Sequence, residues 1–152
     1  MTSLVVTDST PLGLLAMRPG LPAADRCRAW LRAVEAGGAE VVIPEIAVYE
    51  TRRELIRITS SSRLRRLDDL IALHRYLPIT TEAMERAAEF WAIVRQQGRP
   101  TAAPDALDGD CILAAQAATL ARPGDLVLIA TSNVAHLARF PGVDARSWET
   151  IA

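Results

Sequence analysis

A chain of 152 residues fits one domain spanning 1–152 and is long enough to bury a substantial core. Its formal net charge of −1 sets up no global field for nucleic acid or a membrane surface, so any nucleic-acid role needs a local basic patch. Every Lys-or-Arg position is an Arg, which excludes a Walker A lysine, a Schiff base and a catalytic Lys. Cys27 and Cys111 are far apart and form no CxxC pattern, as expected of reduced, core-like thiols in a cytoplasmic protein. The start at Met1-Thr2-Ser3 lacks the basic run of a signal peptide. No apolar run approaches the roughly 20 residues a membrane span requires.

In chain order, Leu4 to Thr7 reads as a short buried strand that stops at Asp8. Pro11 suits a first helical position with Ser9 or Thr10 as cap, so a short helix is expected through Leu12, Leu14, Leu15 and Met17. Pro22 to Ala36 carries Cys27, Trp30, Leu31 and Val34 at helical spacing, and Gly37-Gly38 ends it. Glu40 to Ile43 is the second strand, closed by Pro44. A helix is expected over Glu45 to Ile58, with Ile46, Tyr49 and Leu55 or Ile56 inward. After a hinge at Thr59–Ser62, a further helix runs from Arg63 to Tyr76 with His74 on its apolar face. Leu77-Pro78-Ile79 is a third, short strand in which Pro78 is awkward. Thr80 or Thr81 caps a helix to Gln97 that is expected to bury Met84, Ala87, Ala88, Trp91 and Val94.

A loop with Gly98, Pro100 and Pro104 then leads to Asp108-Gly109-Asp110, where an Ala-rich helix is expected to begin. Leu126 to Ala130 is the most apolar strand and should be central; it stops at Thr131-Ser132-Asn133. A short helix through His136 to Arg139 and an edge strand over Val143 to Arg146 complete the chain. Strands alternating with helices predict an α/β fold with a mostly parallel sheet covered on both faces.

In such folds sites form at the carboxyl ends of strands. Asp8 and Thr131-Ser132-Asn133 follow strands directly, and Glu50 lies on the helix after the second strand. Asp110 is expected at the opening of its helix, with Asp108 either capping that helix or facing the same pocket. Two unit charges 4 Å apart repel by about 4 kcal/mol at an effective dielectric near 20. Three carboxylates in one pocket therefore either take up protons or bind a hard cation. Oxygen ligation suits Mg²⁺ or Mn²⁺ rather than Zn²⁺, for which there is no Cys/His set. Mg²⁺ commonly bridges to phosphate oxygens, which points to phosphoryl chemistry.

Each residue also has a plain structural role open to it. Asp8 suits a helix cap, Glu50 a solvated helix position beside Arg53, and Asn133 a turn. His74 fits a core histidine and His136 a locally packed one. Arg52, Arg53, Arg57, Arg63, Arg65 and Arg66 form either a solvated helical face or a stripe for a nucleic-acid backbone. Aromatic residues near that stripe are few, only Tyr49 and Tyr76, so base stacking is not indicated.

The order of these motifs resembles the PIN-domain nucleases, and within them the VapC-like toxins of toxin–antitoxin pairs. The likeness rests on Val5 to Leu12 around Asp8, Ile43 to Arg53 around Glu50, Asp110 to Ala115, and Ala130 to Leu137 around Asn133. It covers nearly the whole chain. The resemblance implies a PIN-like three-layer α/β/α sandwich, Mg²⁺ or Mn²⁺ dependence and endoribonuclease activity. It also implies a small antitoxin partner and a homodimer. Residue by residue, it carries a metal-holding role to Asp8, Glu50 and Asp110, with Asp108 as a further metal candidate. Asn133, where the family often has an aspartate, would act with Thr131 or Ser132 on the water or scissile phosphate. Arg52 and Arg53 would hold the RNA backbone. A non-catalytic module binding RNA or a protein is the alternative. An acid-cluster phosphatase or receiver ranks below both, because each usually relies on a Lys absent here.

Overall fold

The computed structural model describes residues 3–98 and 104–152, the side chains of 104–106 excepted. Five parallel strands, β1 (Ser3–Thr7), β2 (Glu40–Pro44), β3 (Arg75–Leu77), β4 (Leu126–Thr131) and β5 (Ala145–Ser147), lie in the order β3-β2-β1-β4-β5. Helices cover both faces, giving the three-layer α/β/α sandwich. β1 shows why the sheet is buried on both sides. Its Leu4 and Val6 enter a core with Val42 and Ile129 under the later helices, while Val5 faces the opposite core with Val41, Leu128 and Trp30. Apolar runs without alternation are what a doubly covered parallel strand requires.

The helices are α1 (Ser9–Leu15), α2 (Pro22–Ala36), α3 (Glu45–Arg57), α4 (Ser61–Leu73), α5 (Thr81–Gln96), α6 (Pro104–Leu120) and the short α7 (Val134–Leu137). α6 lies against α5 and the sheet through Leu107, Cys111, Leu113, Ala114, Ala115 and Ala117, all buried. Its run of alanines lets the backbone approach the sheet closely. Gln116, 1% exposed, accepts from Ile46 N at 3.2 Å and donates to Leu77 O at 2.9 Å. Pro44 caps α3 without a side-chain hydrogen bond, so Gln116 serves a first-turn N–H of that helix from across the core. Among the described residues, no helix is long and apolar enough to cross a membrane.

Several boundaries and faces differ from expectation. α1 starts at Ser9 with Asp8 as its N-cap, not at Pro11 with Ser9 or Thr10. α4 ends at Leu73 and β3 occupies Arg75–Leu77, since Pro78 offers no N–H to the ladder. Tyr49 and Ile56 point outward at 56% and 60% exposure, while Val48 and Leu55 are buried. α5 buries Ala83, Ala87, Phe90 and Val94 rather than Met84 and Trp91, which are 47% and 42% exposed. Phe90 stacks on Phe140 at 5.3 Å, an attraction supplied from the far end of the chain. Most of the expected loop before Asp108, residues 99–103, lies outside the described residues.

Candidate functional site

The chain runs from β1 outward to β2 and β3 on one side, and from β4 to β5 on the other. The strand order therefore switches between β1 and β4, and ligands of open α/β sheets sit in the crevice beyond such a switch. Asp8 leaves β1 at this point, and its N–H donates to Ala130 O of β4 at 2.9 Å. Asp8 is 7% exposed, and both of its carboxylate oxygens accept hydrogen bonds. Oδ1 accepts from Ser9 N at 2.6 Å and also from Ser9 Oγ at 3.4 Å, and Oδ2 accepts from Thr131 Oγ1 at 2.7 Å. Thr131 Oγ1 in turn accepts from Asn133 N at 2.9 Å. Thr131 is 0% exposed with its hydroxyl occupied, so it positions Asp8 and does not reach a substrate as the resemblance implies.

Glu50 and Asp110 face this corner from α3 and α6. Gly109 lets them approach: a Cβ there would meet Glu50 Oε2 at 3.0 Å. Burial, then the Asp8 charge, then Asp110 push the Glu50 carboxyl up to about 7, with Arg53 opposing. Burial and the Asp8 charge also raise Asp110, while His136 and Arg139 hold it down. Asp110 Oδ2 is buried and makes no hydrogen bond to the described residues. His136 Nδ1 lies 3.7 Å from it and the Arg139 guanidinium 3.6 Å. Arg139 is anchored by its Nε donating to His136 O at 2.7 Å and by Phe140, 5.6 Å from the ring centroid.

Asp110 does not open α6. The helix starts six residues earlier, at Pro104, a residue suited to a first helical turn. Asp110 thus projects from a helix interior, and no N-terminal dipole accounts for it. Asp108 is turned away. Two residues along a helix is a rotation of about 200°, and Asp108 lines a groove of about 370 Å³ with Met84, Ala87, Trp91 and Ile112. It does not face the acidic pocket. Asn133 and Ser132 are exposed at the rim, and the Asn133 side chain makes no capping hydrogen bond.

The arginine stripe is largely tied down within the chain. Arg52 pairs with Asp68 at 2.6 Å, Arg57 with Glu54, and Arg63 donates to Gly13 O at 3.1 Å. Arg53 lies 4.0 Å from Glu50 Oε2. Glu45 accepts from Ile79 N at 2.7 Å, a structural bond. His74 sits at the end of α4 rather than in the core, bonded to Leu70 O and to Glu35, both at 2.8 Å. His136 and Arg139 were not visible as site residues in the sequence. The only signal was their spacing of three beyond Asn133, which fits one side of the short helix expected through Arg139; α7 ends at Leu137, and Arg139 reaches Asp110 from the turn after it. Both cysteines are buried, and burial pushes Cys27 up to about 12 and Cys111 to about 11, as in unreactive thiols.

As they stand, the described residues contain no group of three or more His, Cys, Asp or Glu side chains able to hold a metal ion. The donor set is still of the kind a hard cation takes. It consists of carboxylate oxygens, one buried without a hydrogen bond and one seated over a glycine. Each of the two helix-borne carboxyls is raised first by burial and then by the charge of Asp8.

A family model described as PIN domain matches residues 14–140. No curated protein matches the sequence. Among solved structures, VapBC2 from Rickettsia felis, described as bound to a DNA fragment from their promoter, superposes with a TM-score of 0.71 at 13% identity, over 95% of this chain and 98% of that one. FitAcB from Neisseria gonorrhoeae gives 0.70 at 18% identity, over 97% and 99%. Mycobacterium tuberculosis VapC20, described as a Sarcin-Ricin loop cleaving toxin, gives 0.56 at 17% identity, over 90% and 95%. At these identities the likeness establishes the fold.

Proposed function

The chain belongs to the PIN-domain family, and on that premise we propose that it acts on RNA, as a metal-dependent endoribonuclease of the toxin–antitoxin kind. The supporting observation is that Asp8, Glu50 and Asp110 face one corner beyond the sheet's switch point, where burial and then the Asp8 charge raise the other two carboxyls. Asp8, Glu50 and Asp110 would hold Mg²⁺ or Mn²⁺ directly or through water. Bound there, the cation would neutralise phosphate charge and lower the pKa of a coordinated water.

The chain's own residues do the rest. Ser9 and Thr131 fix the Asp8 carboxylate, whose oxygens keep further lone pairs for ligation. Burial, then the Asp8 charge, push the Glu50 carboxyl up to about 7, and a cation held there would favour its ionised form. Arg139 supplies positive charge beside Asp110 and limits its repulsion with Asp8, with the His136 ring beside the same carboxylate oxygen. Asn133 and Ser132, exposed at the rim, would hydrogen-bond a phosphate or its attacking water. Arg53 is the stripe residue nearest the pocket, and Arg52 contributes less because Asp68 already neutralises it.

We extend to this chain a single PIN-like domain over 1–152, a cytoplasmic location, a cognate antitoxin and a homodimer. VapC20's description as a Sarcin-Ricin loop cleaving toxin supports RNA as substrate. The test is cleavage of a mixed RNA pool with Mg²⁺ or Mn²⁺ by the wild type, Asp8→Asn and Asp110→Asn. Cleavage lost in both folded variants is expected; unchanged metal-dependent cleavage in both defeats the reading. The second reading, a non-catalytic module holding RNA or a protein, is favoured by the lack of a pre-assembled ligand group among the described residues. RNA binding without cleavage under any divalent cation would select it.

A further inference from the structure

Contrary to the expectation from sequence that base stacking is not indicated, we infer that Tyr49 and Arg53 form a stacking shelf for one unpaired RNA base beside the acidic pocket, a reading that rests on the RNA substrate proposed above. Tyr49 immediately precedes Glu50 on α3. Its ring is 56% exposed, whereas Ile46, Ala47, Val48 and Leu55 of the same helix are buried, so the core makes no use of it. One turn on, the Arg53 guanidinium lies 5.1 Å from the ring centroid. The same guanidinium stands 4.0 Å from Glu50 Oε2. One side chain therefore touches both the ring and a carboxylate of the pocket. A strand threading past Glu50 with its phosphate at the pocket would carry its neighbouring base over Tyr49.

The chemistry matches single-stranded nucleic acid. Unpaired bases stack on aromatic rings and on guanidinium planes, and a nearby cation meets the phosphate. The shelf is a single exposed ring with the Arg53 guanidinium beside it. A protein hot spot instead centres on a well-packed, desolvated pocket. Stacking on every base type is tolerated, so the shelf would select for an unpaired nucleotide more than for its identity.

The experiment uses the full chain in EDTA, so that cleavage is suppressed, and fluorescein-labelled RNA followed by anisotropy. Probes are a single-stranded oligonucleotide, a duplex of the same length, and the single strand with all of its bases removed. Tyr49→Ala is expected to weaken single-strand binding about tenfold, within the range for loss of one stacked base. Tyr49→Phe and Tyr49→Trp should stay within about twofold of wild type, since the ring alone is required. Duplex and base-free RNA should bind equally to wild type and Tyr49→Ala. The shelf is overturned if Tyr49→Ala binds the single strand as wild type does. It is overturned equally if Tyr49→Phe is as weak as Tyr49→Ala, or if the loss is the same for all three probes. A change of mass in solution on Tyr49→Ala with RNA binding intact would assign the ring to a protein contact instead. A wild type that binds no RNA in EDTA and cleaves none with Mg²⁺ or Mn²⁺ would remove the proposed substrate itself, a result distinct from those that remove only the shelf.

Discussion

The two sides of the acidic pocket are built differently. On the sheet side, Asp8 is buried, and each of its oxygens accepts a hydrogen bond. On the helix side, Glu50 and Asp110 sit in the same electrostatic surroundings without that provision, and both carboxyls are raised. A hydrogen bond to the charged form favours it, whereas burial beside like charge disfavours it. Asp8 is thus held in place by its hydrogen bonds, while burial and then the Asp8 charge raise the two helix-borne carboxyls. A cation arriving at the pocket would be felt chiefly on the helix side.

The largest effect is expected where the fixed side is broken. Thr131→Val keeps the shape but removes the donor to a buried carboxylate, and should cost about 2–3 kcal/mol in denaturant unfolding. A cost near zero would mean that Asp8 is not held as described. Next comes Glu50→Gln in metal-free buffer. The folded carboxyl is raised above its unfolded value, so the native state binds more protons between about pH 4.5 and 7. Wild-type stability therefore falls as pH rises through that window. Glu50→Gln should gain about 2 kcal/mol at pH 8 and nothing near pH 4. Thermal melts across pH read this directly, and a variant less stable at pH 8 would contradict it. Saturating Mg²⁺ at pH 8 should stabilise the wild type and erase that advantage, since only the wild type keeps the full carboxylate set.

The smallest change in stability is expected for Gly109→Ala. Better helix propensity offsets the crowding of Glu50, whose flexible end lies 3.0 Å from the added carbon. Stability should stay within about 1 kcal/mol. Metal-dependent cleavage should nevertheless fall, because Glu50 is displaced.

The sequence made the sheet-borne half legible. Apolar runs ending at Asp8 and Thr131 mark strand ends whatever the tertiary packing, and the PIN-like order of motifs follows them. The helix-borne half was less legible because helix faces and starts are decided by partners distant in sequence. Placing the start of α6 near Cys111 treated Asp110 as a first-turn residue; the helix begins at Pro104, which puts Asp108 on the opposite side. On α5, Trp91 competes with Phe90 for the core, and Phe140 decides in favour of Phe90. On α3, Tyr49 and Ile56 fit the helical period about as well as Val48 and Leu55, yet the latter pair is buried. His136 and Arg139 gain meaning only once α7 is folded against Asp110.

The central claim is that Glu50 and Asp110 complete a divalent-cation site on the foundation of Asp8. Its most direct test is calorimetric titration of Mn²⁺ into the purified chain at pH 8, beside Asp110→Asn of verified fold. Saturable binding by the wild type, lost in the variant, is expected. Absence of binding in the wild type, or the same isotherm for both, would contradict it and leave the acidic residues as caps and surface groups of a PIN-family binding module.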